Sequence, residues 1–274
     1  MLAPDRGGDH WPLLLPFLLA LAGCVTAPPP TAPIEVQILA FNDFHGNLET
    51  PAPFDLVEAD GRKTKVTSGG AAQLAAALGK WRAGNPYSVT VSAGDTIGAT
   101  PLTSALFLDE PTIKAMNLVG LEFNAVGNHE FDKGVLELKR MQFGGCVQHT
   151  RAIPCAVEPF AGGKFRYLAA NVLQPDGSTV LPATGIKDFG LVRIGFIGMT
   201  LKETGRLVTP AGVAGLRFAD EAATANTLVP QLKAQGADAI VLLIHQGGKL
   251  PTFNRGNGCE GFYGEIKPIV ARLD

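Results

Sequence analysis

Five side chains of the kinds that bind divalent metals follow one another in a fixed order along the chain. They are two carboxylates, one amide and two imidazoles: Asp43, His45, Asp95, Asn128 and His245. Each lies at or shortly after the end of a run of apolar or β-branched residues that is typical of a buried strand. Carboxylate and imidazole ligands together suit zinc, manganese or iron better than magnesium or calcium. The pattern therefore predicts a metal centre at the ends of several strands.

The first two of these residues are separated by one position. In an extended backbone the side chains of Asp43 and His45 would point to the same side, while Phe44 would point into the core. One ion could then bind both. An Asp-x-His sequence alone is weak and usually belongs to an ordinary loop, so the prediction depends on the later motifs.

Asp95 is expected to be a ligand shared by two ions. Gly94 precedes it, and a residue without a side chain lets backbone and metal approach closely. A carboxylate has two oxygens and can bridge cations, which lie about 3.5–4 Å apart in two-metal sites. Taken alone, Gly-Asp is merely a turn.

The segment Gly127–Asp132 is the most specific of the motifs. Asn128 offers a neutral oxygen ligand, and His129 beside it points elsewhere and is free to face a substrate. Asp132 could accept a hydrogen bond from His129, which would orient the imidazole and favour its protonated form. A protonated imidazole can donate to a leaving oxygen. Asp132 could equally be a carboxylate at a helix N-terminus, and the two roles are compatible.

Strand-like and helix-like segments alternate from residue 34 onward. The predicted strands are residues 34–41, 88–92, 123–126, 166–172, 191–199 and 239–244. The predicted helices are residues 68–81, 109–119, 132–142 and 220–235. The helix at 109–119 is expected to have Asp109 as its cap. This order predicts a layered α/β core, in which ligands gather at the carboxyl ends of the strands. His245 ends the last strand; a lone His there is usually structural, but the upstream motifs favour a ligand.

The composition and the N-terminal segment limit the class of partner and the cellular location. The formal net charge is -2 over 274 residues, which argues against a partner that is a nucleic-acid polymer. Residues 1–23 resemble a lipoprotein-type signal peptide, whose apolar part is shorter than the ~20 residues needed to span a bilayer. Cys24 is the expected lipidation site and residues 24–33 a Pro-rich tether, although an ordinary cleaved signal is the alternative. We therefore expect an exported, periplasmic chain held to the membrane by a lipid anchor.

Export makes disulfides the default for the other cysteines. Cys146 and Cys155 flank a short loop and are expected to pair. Cys259 is then odd, and its partner is expected beyond the last residue. Metal binding by these cysteines is the weaker interpretation, because no Cys-x-x-Cys or adjacent His accompanies them.

The motifs together resemble the calcineurin-like metallophosphoesterase superfamily, and more closely the exported bacterial 5′-nucleotidase / 2′,3′-cyclic phosphodiesterase family that includes UDP-sugar hydrolases. The matching segments are residues 41–47, 92–95, 127–132 and 244–245. The resemblance covers residues 34–274 and implies an α/β/β/α sandwich as the catalytic domain.

The resemblance also implies roles for the residues. Asp43, His45 and Asp95 would hold one divalent ion, and Asp95 would share a second with Asn128 and His245. His129 and Asp132 would be the catalytic pair. The nucleophile would be a metal-bound water, and the substrate a nucleotide or another phosphomonoester.

One departure from the family leads to a further expectation. The family continues into a Gly-His-x-His-like segment, with one more ligand for each metal, and then into a substrate-recognition domain. Neither is present, and His149, between the paired cysteines, cannot replace the ligands. We therefore expect a catalytic domain truncated at the C-terminal end, with little or no turnover by itself. The alternatives are an inactive lipoprotein remnant that binds metal weakly or not at all, and a lipid-anchored binding protein.

Overall fold

A computed structural model describes residues 33–57, 61–249 and 261–274. Residues Glu35–Asp274 form one compact unit. Several predicted features lie outside the described residues: the signal segment, the lipidation site at Cys24, nearly all of the tether, and Cys259. Among the residues that are described, no helix is both long and apolar enough to cross a membrane.

Strands and helices alternate along much of Glu35–Asp274 as the sequence predicted, although residues 37–66 and 166–200 hold runs of strands with no helix between them. The described strands are β1 (Gln37–Phe41), β2 (Phe54–Val57), β3 (Lys63–Val66), β4 (Ser88–Ser92), β5 (Phe123–Ala125), β6 (Arg166–Leu168), β7 (Val172–Leu173), β8 (Thr184–Asp188), β9 (Arg193–Thr200), β10 (Arg217–Phe218) and β11 (Ala239–His245). The described helices are α1 (Gly70–Arg82), α2 (Leu102–Ala105), α3 (Glu110–Val119), α4 (Val135–Phe143), α5 (Thr204–Leu207), α6 (Glu221–Ala234) and α7 (Ile266–Val270). Short 3-10 helices cover His129–Phe131 and Pro210–Val213.

Two sheets carry the core. The first has the order β1-β4-β5-β6 and is parallel throughout. The second has the order β11-β9-β8, with β11 parallel and β8 antiparallel to β9. Parallel neighbours end at the same edge of a sheet. The loops after β1, β4 and β5 therefore leave the sheet at the same edge, where the candidate ligands that they carry can meet.

The sheets pack face to face between two layers of helices. The buried side chains between them include Val91, Leu243 and the stacked rings of Phe123 and Phe196, whose centroids are 4.7 Å apart. Helices α1, α3 and α4 pack on the outer side of the first sheet, and α6 packs on the outer side of the second sheet. The buried side chains of β9 alternate between the face toward the first sheet and the face toward α6, since successive strand residues face opposite ways. The predicted α/β/β/α arrangement is confirmed.

A buried ion triad holds helices α3 and α4 together. The guanidinium of Arg140 pairs with Glu110 at 2.6 Å and with Glu137 at 2.7 Å, and all three side chains are buried. Glu110 also accepts a hydrogen bond from the backbone N–H of Cys155 at 2.9 Å. Cys155 forms a disulfide with Cys146. The bridged loop is thereby fixed to both helices.

Two details of the predicted helices were wrong. Asp109 is the N-cap residue of α3, as predicted, but its backbone is left-handed (φ 66°) and its side chain makes no capping hydrogen bond. Its carboxylate instead accepts from Ser104 Oγ at 2.9 Å and Lys133 Nζ at 2.6 Å. Helix α4 begins at Val135, so Asp132 ends a 3-10 turn and is not a carboxylate at a helix N-terminus.

The predicted strand over residues 166–172 is broken. After β6 the chain leaves the first sheet, and the N–H of Ala170 donates to the carbonyl of Gly198 in β9 at 2.8 Å. The segment β7 then pairs with β10. An apolar run does not reveal which sheet its backbone groups will join.

We expect Gly198 to be required for the close contact between the sheets. A Cβ there would overlap the Leu168 side chain and lie 2.5 Å from the Leu168 carbonyl oxygen. Gly198→Ala should therefore destabilise the protein by about 1–3 kcal/mol in urea unfolding. Gly205→Ala is the matched control, because a Cβ at Gly205 would meet nothing within 4 Å. Equal unfolding midpoints for the two variants would contradict this account of the packing.

Candidate metal centre

The loop after β1 is tied to the loop after β4 by backbone hydrogen bonds. The N–H of Asp43 donates to the carbonyl of Gly94 at 3.0 Å, and the N–H of His45 to that of Asp95 at 3.0 Å. These bonds continue the pairing of the two strands past their ends. The candidate ligands on these loops are therefore held in a fixed relation.

Three of the predicted ligands form one group. Nε2 of His45 lies 3.7 Å from Asp43 Oδ1 and 3.7 Å from Asp95 Oδ2. One ligand atom from each residue lies within 4.8 Å of the others. The Nδ1 atom of His45 is 2.8 Å from the carbonyl oxygen of Gly98, and it donates there because a carbonyl oxygen only accepts. Nε2 is then left to face the carboxylates, as in a metal-binding histidine.

The prediction of an extended backbone at Asp43 and His45 was wrong. Asp43, His45 and Asp95 have φ values of 51°, 45° and 51°, in the left-handed region that residues other than glycine seldom adopt. Phe44 is nevertheless buried, as expected. Backbone strain of this kind is typical of functional sites.

A second group is formed by Asp95, Asn128 and His245. Nε2 of His245 lies 3.1 Å from Asp95 Oδ2 and 3.2 Å from Asn128 Oδ1. Its Nδ1 lies 2.9 Å from the carbonyl oxygen of Ala93, which orients the ring. The same oxygen of Asp95 therefore faces the imidazoles of both groups. This is the position that a shared ligand must occupy.

Asp95 and His245, in the second group, shift each other's pKa. Burial lowers the pKa of the His245 imidazole, but the hydrogen bond and charge of Asp95 outweigh it and raise that pKa to about 9. Burial acts to raise the pKa of Asp95, and its contacts with His245 and the N–H of His129 lower it overall. Without a metal, the pair is a charged hydrogen bond.

The predicted catalytic pair lies beside the first group. Nδ1 of His129 is 2.9 Å from Asp132 Oδ2, which is the contact predicted from their spacing. The His129 ring meets the His45 ring edge-on, with centroids 5.1 Å apart. The His129 side chain is 34% exposed, so a ligand in solution can reach it.

Glu130 is the residue whose part in the site the sequence did not indicate. Its carboxylate is buried and accepts three backbone hydrogen bonds from both ligand-bearing loops. Burial, followed by the charge of Asp95, raises the pKa of Glu130 above its ordinary value, although the hydrogen bonds from the N–H groups of Thr96 and Asp95 favour the ionised form. The only signal in the sequence was an acidic residue inside the motif Gly127–Asp132.

Two cavities meet at Asn42 and Asp43. One of about 340 Å³ is also lined by Ala93 and His245. The other, of about 420 Å³, lies toward the start of α1 and is also lined by Gln73. A small ligand can therefore approach the ligand groups from open space.

Comparison with known proteins agrees with the fold and the motifs. No protein-family model matches the chain. An uncharacterized protein of Acinetobacter calcoaceticus is 48% identical over 174 residues, which are 60% of this chain and 84% of that protein. A probable 5′-nucleotidase of Treponema pallidum is 31% identical over 234 residues, covering 84% of this chain and 35% of that protein. The structure of the NAD nucleotidase of Haemophilus influenzae matches with a TM-score of 0.62 and 28% identity, over 78% of this chain and 34% of that one.

The layered α/β/β/α domain is a metallophosphoesterase fold. The chain belongs to the 5′-nucleotidase family of calcineurin-like metallophosphoesterases, a family of hydrolases. It spans about a third of the length of the two named nucleotidases.

We expect the metal-free protein to lose stability as the pH rises from 6.5 to 9. The folded-state pKa of His245 is about 9, above its ordinary 6.5. A raised folded-state pKa gives stability that is lost as the pH rises through that value. The melting temperature in EDTA should therefore fall by several degrees across this window.

His245→Asn is the control for that experiment, because asparagine does not titrate. Its melting temperature should depend less on pH over the same window. Parallel pH profiles for the parent and the variant would contradict the assignment of the charged pair.

Proposed function

We propose that this chain carries the metal-dependent catalytic site of a nucleotide phosphoester hydrolase of the 5′-nucleotidase type. The observation that carries the proposal is the position of Asp95 Oδ2, 3.7 Å from Nε2 of His45 and 3.1 Å from Nε2 of His245. Family membership supplies the reaction class, and the geometry of the two groups supports a dinuclear centre.

The residues fit two divalent ions of the zinc, manganese or iron type. Asp43, His45 and Asp95 would hold one ion, and Asp95, Asn128 and His245 the other. The mixture of carboxylate, amide and imidazole donors suits these metals, and both imidazoles use Nδ1 to orient the ring and face the group with Nε2. When bound, such ions neutralise phosphate charge and activate water.

His129 and Asp132 would provide the proton for the departing oxygen. Asp132 accepts from Nδ1 of His129 at 2.9 Å and thereby orients the ring. When Nε2 also carries a proton, it can donate that proton to the leaving oxygen of the ester. His129 lies against His45, so this donor stands next to the proposed position of the phosphate.

The proposed substrate is a nucleotide or another small phosphomonoester. Relatives named as 5′-nucleotidases support the nucleotide class. The cavities beside Asp43 have room for a small molecule. The net charge of -2 does not favour a nucleic-acid polymer.

The proposed location is outside the cytoplasm. The lipoprotein-type segment before Cys24 supports export to the periplasm and anchoring to the membrane through a lipid. The disulfide between Cys146 and Cys155 agrees with an oxidising compartment.

A second candidate is a domain that binds metal without turnover. It is favoured by the ligand count, because the described residues offer three protein ligands to each proposed ion. Loss of ligands and of preorganisation weakens a metal site. Turnover separates this candidate from the hydrolase.

We expect purified chain with Mn²⁺ to release phosphate from AMP slowly but above a blank. The blank is Asp95→Ala, which removes the shared ligand. The measurement is phosphate release from AMP and from an aryl phosphate, with and without EDTA. Release equal to the blank in every condition would leave the metal-binding domain without turnover as the function.

A second test separates metal binding from catalysis. Asp95→Ala should lose most of its bound metal because both groups depend on that carboxylate. His129→Ala should keep its metal and lose turnover. Metal content measured by mass spectrometry that is equal in Asp95→Ala and the parent would rule out the shared ligand.

A further inference from the structure

We propose that Glu130 is a positioning residue that holds the loops after β4 and β5 in the arrangement the metal centre needs. Its effect on turnover rests on the proposed function, whereas its effect on metal affinity does not. Glu130 is 2% exposed, and its carboxylate accepts hydrogen bonds from backbone N–H groups.

The carboxylate of Glu130 connects the two loops through backbone hydrogen bonds. Oε2 accepts from the N–H of Asp95 at 2.9 Å and from the N–H of Gly127 at 2.7 Å. Oε1 accepts from the N–H of Thr96 at 2.8 Å. Asp95 and Thr96 follow β4, and Gly127 follows β5, so one side chain fixes the distance between two strand ends.

The connection is reciprocal. Oδ1 of Asp95 accepts from the N–H of His129 at 2.9 Å. Each loop thus supplies a carboxylate to the backbone of the other. With Oδ1 held in this way, Oδ2 remains directed at His45 and His245.

This double connection also explains the backbone of Asp95. A left-handed conformation in a residue other than glycine persists only where its surroundings hold it. The N–H groups of Asp95 and Thr96 both bond to Glu130. These two bonds offset the strain of the φ value of 51°.

Gly127 allows the loops to come this close. A Cβ at Gly127 would overlap Asp95 Oδ1, and it would lie 2.5 Å from the Asp95 nitrogen and 2.8 Å from Glu130 Oε2. Gly127, Asp95 and Glu130 therefore pack directly against one another.

Only a carboxylate of this length fits the arrangement. Both of its oxygens accept, whereas the amide of glutamine would place N–H donors against a backbone N–H. Leaving a buried donor unpaired costs about 1–3 kcal/mol. Glu130→Gln should therefore let the loops separate while the size of the side chain is retained.

Glu221→Gln is the matched control. Glu221 is also 2% exposed and accepts a backbone hydrogen bond, from the N–H of Lys202 at 2.7 Å. It lies in α6, outside both ligand groups. A general loss of stability should appear in both variants, and a loss of metal affinity only in Glu130→Gln.

The test is calorimetric titration of the metal-free chain with Mn²⁺, with AMP hydrolysis measured on the same samples. Glu130→Gln should weaken Mn²⁺ binding by about 10-fold or more, the scale seen when partners of metal ligands are removed. At saturating Mn²⁺ its kcat should fall while its KM for AMP stays near that of the parent. Glu221→Gln should match the parent in all three quantities.

The two proposals fail in different ways. A parent that binds Mn²⁺ without hydrolysing AMP overturns the proposed function, and the titration still decides the role of Glu130. Parent-like Mn²⁺ affinity in Glu130→Gln, or an equal loss in Glu221→Gln, overturns the role of Glu130. If Glu130→Gln does not fold, Glu130→Asp takes its place, and parent-like Mn²⁺ affinity in that shorter variant overturns the proposal equally.

Discussion

The Asp95 carboxylate is the point at which the elements of the site meet. One of its oxygens faces the imidazoles of His45 and His245, and the other accepts from the backbone of His129. A buried carboxylate in this position must be paired, because an unpaired charge in the interior is costly. The surrounding loops are therefore constrained to bring donors to it, and in doing so they bring the candidate ligands together.

This constraint depends on both sheets. Asp95 follows β4 in the first sheet, whereas His245 ends β11 in the second. Their contact therefore requires the sheets to pack in one register, which the stacked rings of Phe123 and Phe196 and the close approach at Gly198 help to set. Protein interiors are close-packed and do not deform continuously. The stability of the core and the geometry of the site are consequently linked.

Much of this arrangement could be predicted from local patterns in the sequence. Continuous apolar runs located the strands that end at the motifs, and the spacing of His129 and Asp132 predicted their hydrogen bond. The β8 strand was missed because its sequence, with Gly185, Lys187 and Asp188, has no apolar run. The left-handed backbone at Asp43 could not be read from residue type, since only tertiary contacts make it favourable. The role of Glu130 depends on Asp95, which lies 35 positions away.

The most direct test of the shared carboxylate is anomalous X-ray scattering from crystals of the chain grown with Mn²⁺. We expect two anomalous peaks about 3.5–4 Å apart. The Asp95 carboxylate should lie between them, with His45 beside one peak and His245 beside the other. A single ion bound away from Asp95, or two ions that Asp95 does not contact, would contradict it.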